Sequence, residues 1–394
     1  MTPPDPAGGA ALLRYRPTDP AAAPAVQELL DELGLGRLEP EDLAGYGGRN
    51  DNWAGRTSTG ARVFLKTVAR APDGTSGELD RALSFETLAL RLPPGSDLRV
   101  PEHLGSHRPG AVSAYRLLPG ARSGAEAALD GDFDEDLCRT AGRAVATLHG
   151  LDPRGAGLDE GEPPLPPLDW LEAFPWSALR DRSMGQIAAW KLVQDDPEVV
   201  AALRGLRERE RAAPRTPAHC DLRFDQFVLA EGQLYLCDWE EFRLADPARD
   251  VGAFVGEWLF HATCAVFAPT GGGEGSQEPA GFDLSHQEVL RRGGEGLRRH
   301  LPRVEAFWQG YLERRTPDPG FAERAVGFAG WHLFDRLIAT AQAHATLSPV
   351  ARAAAGIGRT LLTRPTGAVT TLRLHPPTGA VTTLRLHPPT GSTR

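Results

Sequence analysis

His219-Cys220-Asp221-Leu222-Arg223-Phe224-Asp225-Gln226-Phe227-Val228-Leu229, a short turn, Leu234-Tyr235-Leu236-Cys237-Asp238-Trp239-Glu240, and then Asp246-Pro247-Ala248-Arg249-Asp250 form the stretch whose reading decides the fold. The two apolar runs read as a hairpin. Asp221 lies on the loop before it, Gln226 follows five residues later, and Asp238 stands twelve residues beyond Gln226 at the hairpin's end. Phosphoryl transfer needs one group to orient an acceptor hydroxyl and two to hold magnesium on the phosphates. Three polar groups on two loops of one rigid hairpin supply both. Asp221 is the candidate base. Asp238 and Gln226, the latter through its carbonyl oxygen, are the candidate Mg2+ ligands, because hard Mg2+ prefers oxygen; adjacent Asp225 could substitute as a ligand. Arg223, two residues after Asp221, could neutralise charge on the transferring phosphoryl group. His219 and Asp250 read as structural, the first bonding backbone or the Asp238 region and the second bracing the catalytic loop.

This stretch of 32 residues resembles the protein-kinase-like fold and, within it, the aminoglycoside phosphotransferase and choline kinase superfamily. That family shows a His-x-Asp-x-x-x-x-Asn loop, an Asp-Trp-Glu or Asp-Phe-Glu turn, and Asp-Pro-x-x-Asp. One position departs: Gln226 stands where Asn is usual, as it does in some sugar kinases of the superfamily. The resemblance covers roughly residues 40–350. It implies a bilobal α+β fold, with a small β-rich lobe and a larger helical lobe, and ATP- and Mg2+-dependent phosphorylation of a hydroxyl. The departure at Gln226 keeps a second class open, a pseudokinase that holds nucleotide without turnover.

Composition points the same way by exclusion. A net charge of −9 argues against a nucleic-acid partner. Four cysteines, Cys138, Cys220, Cys237 and Cys264, fit no zinc motif or disulfide scaffold, so reduced thiols in a cytoplasmic enzyme are expected. The N-terminus shows no signal-peptide pattern, and the longest apolar run, 251–268, is interrupted by Glu257 and His261, so no membrane span is expected.

The chain uses 41 Arg but two Lys, Lys66 and Lys191, and two Asn, Asn50 and Asn52. Three of these rare residues fall in one short segment. Gly45-Tyr46-Gly47-Gly48-Arg49-Asn50-Asp51-Asn52 is a glycine-rich turn without Walker spacing. In kinase-like folds such a loop covers the phosphates, so Gly47, Gly48, Asn50 and Asn52 are candidate nucleotide contacts. Residues 62–68 read as a strand with Arg62, Phe64 and Lys66 on one face. A helix follows from about 76 to 92, and Glu86 lies on its apolar stripe with Leu79, Leu83 and Leu90. A carboxylate there wants a cation. Lys66 is the natural partner, with Lys66 then serving the nucleotide phosphates.

The expected organisation is a disordered N-terminus over 1–24, a nucleotide-binding lobe over 25–119, a hinge at Pro119-Gly120, a helical catalytic lobe over 120–362 and a tail over 363–394. Helices are expected at 25–38, 134–151, 169–213, 247–268, 284–313 and 320–346, with a flexible loop at Thr270–Ser276. In the tail, Thr366–Pro377 recurs unchanged as Thr378–Pro389; two copies of twelve residues are too few for a solenoid, and no fold of its own is expected. Trp239, Trp258, Trp308 and Trp331 read as core.

The acceptor is not written in a motif. Gly47–Gly55 resembles the loop of kinase-like subunits from class V lanthipeptide and thioamitide pathways. That implies phosphorylation of Ser/Thr in a precursor peptide, with a partner lyase eliminating phosphate. A small-molecule acceptor such as an aminoglycoside, a sugar or a choline-like alcohol is the alternative.

Overall fold

The computed structural model describes residues 14–15, 17–46, 50–180, 182–267 and 284–375. Helix α1 (Pro24–Glu32) begins on a proline, where the missing N–H has no partner to lose, and buries Val26, Leu29 and Leu30. Strands β1 (Asn52–Arg56), β2 (Arg62–Thr67), β3 (His103–His107) and β4 (Val112–Arg116) form an antiparallel sheet in the order β1-β2-β4-β3. The alternation in β2 sorts its residues as expected. Val63 and Leu65 bury against α1, together with Trp53, Val112 and Ala114. Phe64 and Lys66 face the opposite way, into a cleft.

Helix α2 (Gly77–Ala89) starts where Ser76 accepts a hydrogen bond from the Leu79 amide at 3.2 Å, and Glu78 and Asp80 suit the positive end of the helix. It buries Ala82, Phe85 and Leu88 in the larger core, so it joins the sheet to the helical lobe. That lobe comprises α3 (Glu135–His149), α4 (Met184–Gln194), α5 (Pro197–Ala212), the hairpin β5 (Phe227–Ala230) and β6 (Gln233–Leu236), α6 (Ala248–Val266), α7 (His286–Leu312), α8 (Phe321–Thr340), α9 (Pro349–Thr363) and α10 (Pro365–Thr371). Glycines set the tightest helix crossing. A Cβ on Gly142 of α3 would sit 2.0 Å from the Phe307 carbonyl, and one on Gly310 of α7 would sit 2.0 Å from the Arg139 carbonyl. The α+β architecture is the one expected, and all four tryptophans read as core are buried.

Three expectations need correction. The helical segment 169–213 is broken into a 3-10 turn at Leu168–Leu171, one turn at Trp176–Leu179, and then α4 and α5. Pro175 and Pro197 each lack the N–H that would continue a helix through them. The N-terminus is structured where it is described: the Thr18 carbonyl accepts from Trp53 Nε1 at 2.7 Å, Asp19 caps a turn at Pro20–Ala22, and α1 follows. The tail also has structure in its first copy. Residues 365–371 are helical, Leu372 and Leu374 are buried, and Trp308 Nε1 donates to the His375 carbonyl at 2.7 Å. Apolar leucines on that copy find a place among α7, α8 and α9 that composition alone does not reveal. The second copy and Thr270–Ser276 lie outside the described residues. Among the described residues no helix is long and apolar enough to cross a membrane.

Candidate active site

Between the sheet and the helical lobe lies a cavity of about 910 Å3. Its catalytic wall is built by a buried brace. Asp250, in the first turn of α6 and fully buried, accepts from the His219 amide at 2.7 Å and the Cys220 amide at 2.8 Å. His149, the last residue of α3, bonds the same carboxylate through Nε2 at 2.9 Å, and its Nδ1 meets Tyr311 Oη at 3.0 Å. Burial alone would raise the Asp250 pKa; the His149 hydrogen bond and the nearby His149 and His219 rings outweigh it and hold it below the ordinary value. His219 Nε2 donates to the Cys237 carbonyl at 2.9 Å, which ties the Asp221 loop to the Asp238 turn. The structural roles read for His219 and Asp250 are the ones their bonds show.

The brace holds two non-glycine residues in the left-handed region, Cys220 at φ 66° and Asp238 at φ 68°. Such backbone is costly and persists where surrounding bonds over-determine it. Asp221 follows Cys220 and opens into the cleft with 38% of its side chain exposed. Partial removal from water pushes Asp221 up to about 7; Arg223 and Arg336 pull it down, while Asp335 and Asp238 push it up. Arg223 is forked, 2.9 Å from Asp221 and 3.0 Å from Asp225. Its charge therefore holds the Asp221 carboxylate in place, and Asp225 is engaged with it. Gln226 is buried, lines the same cavity, and accepts from the Cys237 amide through its backbone carbonyl at 2.9 Å, which sets it beside Asp238.

Lys66 departs from expectation. Its Nζ lies 2.7 Å from Asp238 Oδ1 and 2.6 Å from Glu240 Oε1, with no hydrogen bond or ion pair to Glu86 described. Burial alone would lower its pKa, but the two carboxylates outweigh this and raise it. The same ammonium, against burial, holds Asp238 below the ordinary carboxylate range. Glu86 lines the cavity, and burial pushes it up to about 7. With Lys66 engaged by the Asp-Trp-Glu turn, no cation among the described residues offsets the burial of Glu86.

The asparagines also separate. Asn50 Nδ2 donates to Glu240 Oε1 at 2.8 Å, which connects the N-terminal loop to that turn. Asn52 is buried and clamps the loop's own backbone, accepting from the Tyr46 amide at 2.7 Å and donating to the Tyr46 carbonyl at 2.9 Å. It is a turn clamp, not a phosphate donor, because its polar atoms are already spent. Gly47 and Gly48 lie outside the described residues.

Asp238, Glu240 and Gln226 present oxygen donors to one cleft, which suits a hard cation. Among the described residues no three His, Cys, Asp or Glu side chains are arranged to hold a metal. Glu240, His149, Tyr115, Asp335 and Arg336 were missed by sequence reasoning. Glu240 stands in the Asp-Trp-Glu turn and could have been found there; the others carry no local signal.

Among solved structures, amicoumacin kinase hAmiN in complex with AMP-PNP, Ca2+ and Ami is similar in fold, with 16% identity, a TM-score of 0.53, and 86% of this chain and 92% of that chain covered. Macrolide 2'-phosphotransferase MphH from Brachybacterium faecium is 20% identical, covering 86% of this chain and 98% of that one at a TM-score of 0.44. Choline kinase LicA from Streptococcus pneumoniae is 14% identical, covering 87% and 99% at a TM-score of 0.48. No curated protein matches in sequence. Residues 44–284, more than half of the chain, match the pattern of the phosphotransferase enzyme family, APH, and the chain belongs to that family, phosphotransferases with a hydroxyl acceptor.

Proposed function

We propose that the chain transfers the terminal phosphoryl group of ATP to the hydroxyl of an acceptor bound in the helical-lobe end of the cleft. One observation carries this: Asp221, Gln226 and the Lys66–Asp238 pair open into a single cavity. Apolar and aromatic residues of the sheet side, Phe64, Val68, Tyr115 and Leu117, suit a nucleotide base there. Mg2+ held by Asp238, Gln226 and Glu240 would neutralise charge on the phosphates. A neighbour of this fold described with AMP-PNP and Ca2+ supports a nucleotide with a divalent cation.

Asp221, ionised, takes the acceptor's proton as the new P–O bond forms and the bond to the ADP oxygen breaks. Arg223 holds that carboxylate in place. Asp238 would help hold the cation, and Lys66, beside it, would pair with the nucleotide phosphates.

A cavity of about 910 Å3, shared with the nucleotide, suits a small-molecule hydroxyl. The second reading, Ser/Thr of a biosynthetic precursor peptide with a partner lyase, rests on the Gly47–Gly55 resemblance. ADP release from Mg2+-ATP should be measured for wild type and Asp221→Asn, with pools of aminoglycosides, sugars, choline-like alcohols and Ser/Thr peptides. Pool-dependent release lost in Asp221→Asn is expected, and the responding pool decides between the readings. ATP binding without release from any pool refutes transfer and leaves a nucleotide-binding module.

A further inference from the structure

The acceptor end of the cavity is walled by Pro163, Pro164 and Leu165 on one side and by the end of α8 on the other. Asp335, Ala339 and Gln342 recur there at helical spacing, with Arg336 beside them. The charged groups around this end pair off. Arg223 is forked between Asp221 and Asp225. Glu257 is taken by His332 at 2.7 Å and the Phe224 amide at 3.1 Å. Arg249 is committed to Glu210 and to the Leu165 carbonyl.

Arg336 is the least committed of them, with Asp335 as its one described ion-pair partner. Its one described hydrogen bond runs from Nη2 to Asp335 at 3.0 Å. Its Nε is buried with no partner, and its side chain, 22% exposed, lines the cavity. A guanidinium has five N–H donors in a planar fork. The Nε is sealed from the cavity, but Nη1 has no described partner and is not sealed, so a ligand entering the cavity meets an uncommitted end of the guanidinium. The planar fork matches a carboxylate, which takes two parallel N–H bonds.

We propose that Arg336 is a specificity-determining residue that binds a carboxylate on the acceptor, so that the acceptor class is a hydroxy carboxylate. This rests on the phosphotransferase reading for the hydroxyl and on Arg336 alone for the anion. The carboxylate belongs either to a small hydroxy acid or to an acidic side chain beside Ser/Thr in a peptide.

Matched probes separate these. Malate and malamide form one pair, and N-acetyl-Ser-Glu-amide and N-acetyl-Ser-Gln-amide the other. Binding is read by calorimetry and transfer by ADP release, for wild type, Arg336→Gln and Arg336→Lys, with the KM for Mg2+-ATP as the check that each variant is folded. The wild type should favour the acid of one pair over its amide by roughly 10–100-fold, the span of a charge-assisted pair. Arg336→Gln should erase that preference at unchanged KM for Mg2+-ATP, and Arg336→Lys should restore part of it. The responding pair identifies the source of the carboxylate. Equal binding of acid and amide in the wild type, or a preference that survives Arg336→Gln, overturns the proposal. Acid-selective binding without transfer leaves the anion site standing and refutes the phosphotransferase reading instead.

Discussion

Replacing Glu86 by Gln should stabilise this protein, and by an amount set by pH. Burial raises the Glu86 pKa from 4.5 to about 7. Between those values the folded chain keeps a proton that the unfolded chain has lost, so stability falls as pH rises through this window. The cost is about 1 kcal/mol at pH 5 and about 3 kcal/mol at pH 8.5, from 1.36 kcal/mol per pKa unit. Gln resembles the protonated form and has no charge to bury, so Glu86→Gln removes that cost. Taking about 2.1 cal/mol/K of unfolding entropy per residue over the chain, about 3 kcal/mol corresponds to a rise in Tm of roughly 4 °C. The assay is thermal unfolding of both proteins at pH 5 and pH 8.5. The gain should be small at the lower pH and near its full size at the higher. Equal shifts at both would show that Glu86 does not titrate in this window. A loss of stability at pH 8.5 would show that Glu86 is ionised and holds a cation, with Lys66 the nearest candidate, and the structural correction made above would fail.

Asp221→Asn should lower kcat by about 10²–10⁴-fold with little change in the KM for Mg2+-ATP. Because Asp221 must be ionised to accept a proton and sits at about 7, wild-type kcat/KM should rise with pH through that value; a flat profile from pH 5.5 to 8 removes it as the base. Asp250→Asn weakens the bonds to two amides and to His149 together, and should lower the free energy of unfolding by about 3–5 kcal/mol. A denaturant midpoint within error of wild type would contradict the brace. Gly310→Ala places a Cβ 2.0 Å from the Arg139 carbonyl and should destabilise by about 1–3 kcal/mol, so a neutral result would mean that α3 and α7 do not cross so closely.

What the sequence made legible was short-range. Period two in β2 put Phe64 and Lys66 on the cleft face, and helical spacing placed α2 to within a few residues, although of the expected stripe only Leu79 is buried and Leu90 is exposed, the core face being Leu79, Ala82, Phe85 and Leu88. The 219–250 stretch gave the hairpin and both carboxylates because turn and strand signals are local. What it did not give were contacts chosen by tertiary competition. Lys66 had one obvious partner along the chain in Glu86, and the fold offered it two stronger carboxylates 172 and 174 positions away. Asn52 looked like a free donor until the loop's own backbone claimed it. The first tail copy looked like low-complexity sequence, and its leucines found burial among distant helices.

The same distinction explains why the Asp-Pro-x-x-Asp element accompanies the Asp221 loop. Cys220 and Asp238 hold left-handed backbone, which Cys seldom adopts and Asp tolerates better, and the two lie on separate loops. Something must span both. Asp250 takes the successive His219 and Cys220 amides, and His219 takes the carbonyl before Asp238, so one buried carboxylate and one ring fix both loops at once. His149 and Tyr311 then fix the carboxylate from α3 and α7. The distance between Asp221 and Asp238 is thus set by the helical core, not by the hairpin turn between them. On this account, hairpin-turn substitutions at Glu231 or Gly232 should disturb catalysis less than Asp250→Asn, although they stand nearer to both Asp221 and Asp238 along the chain.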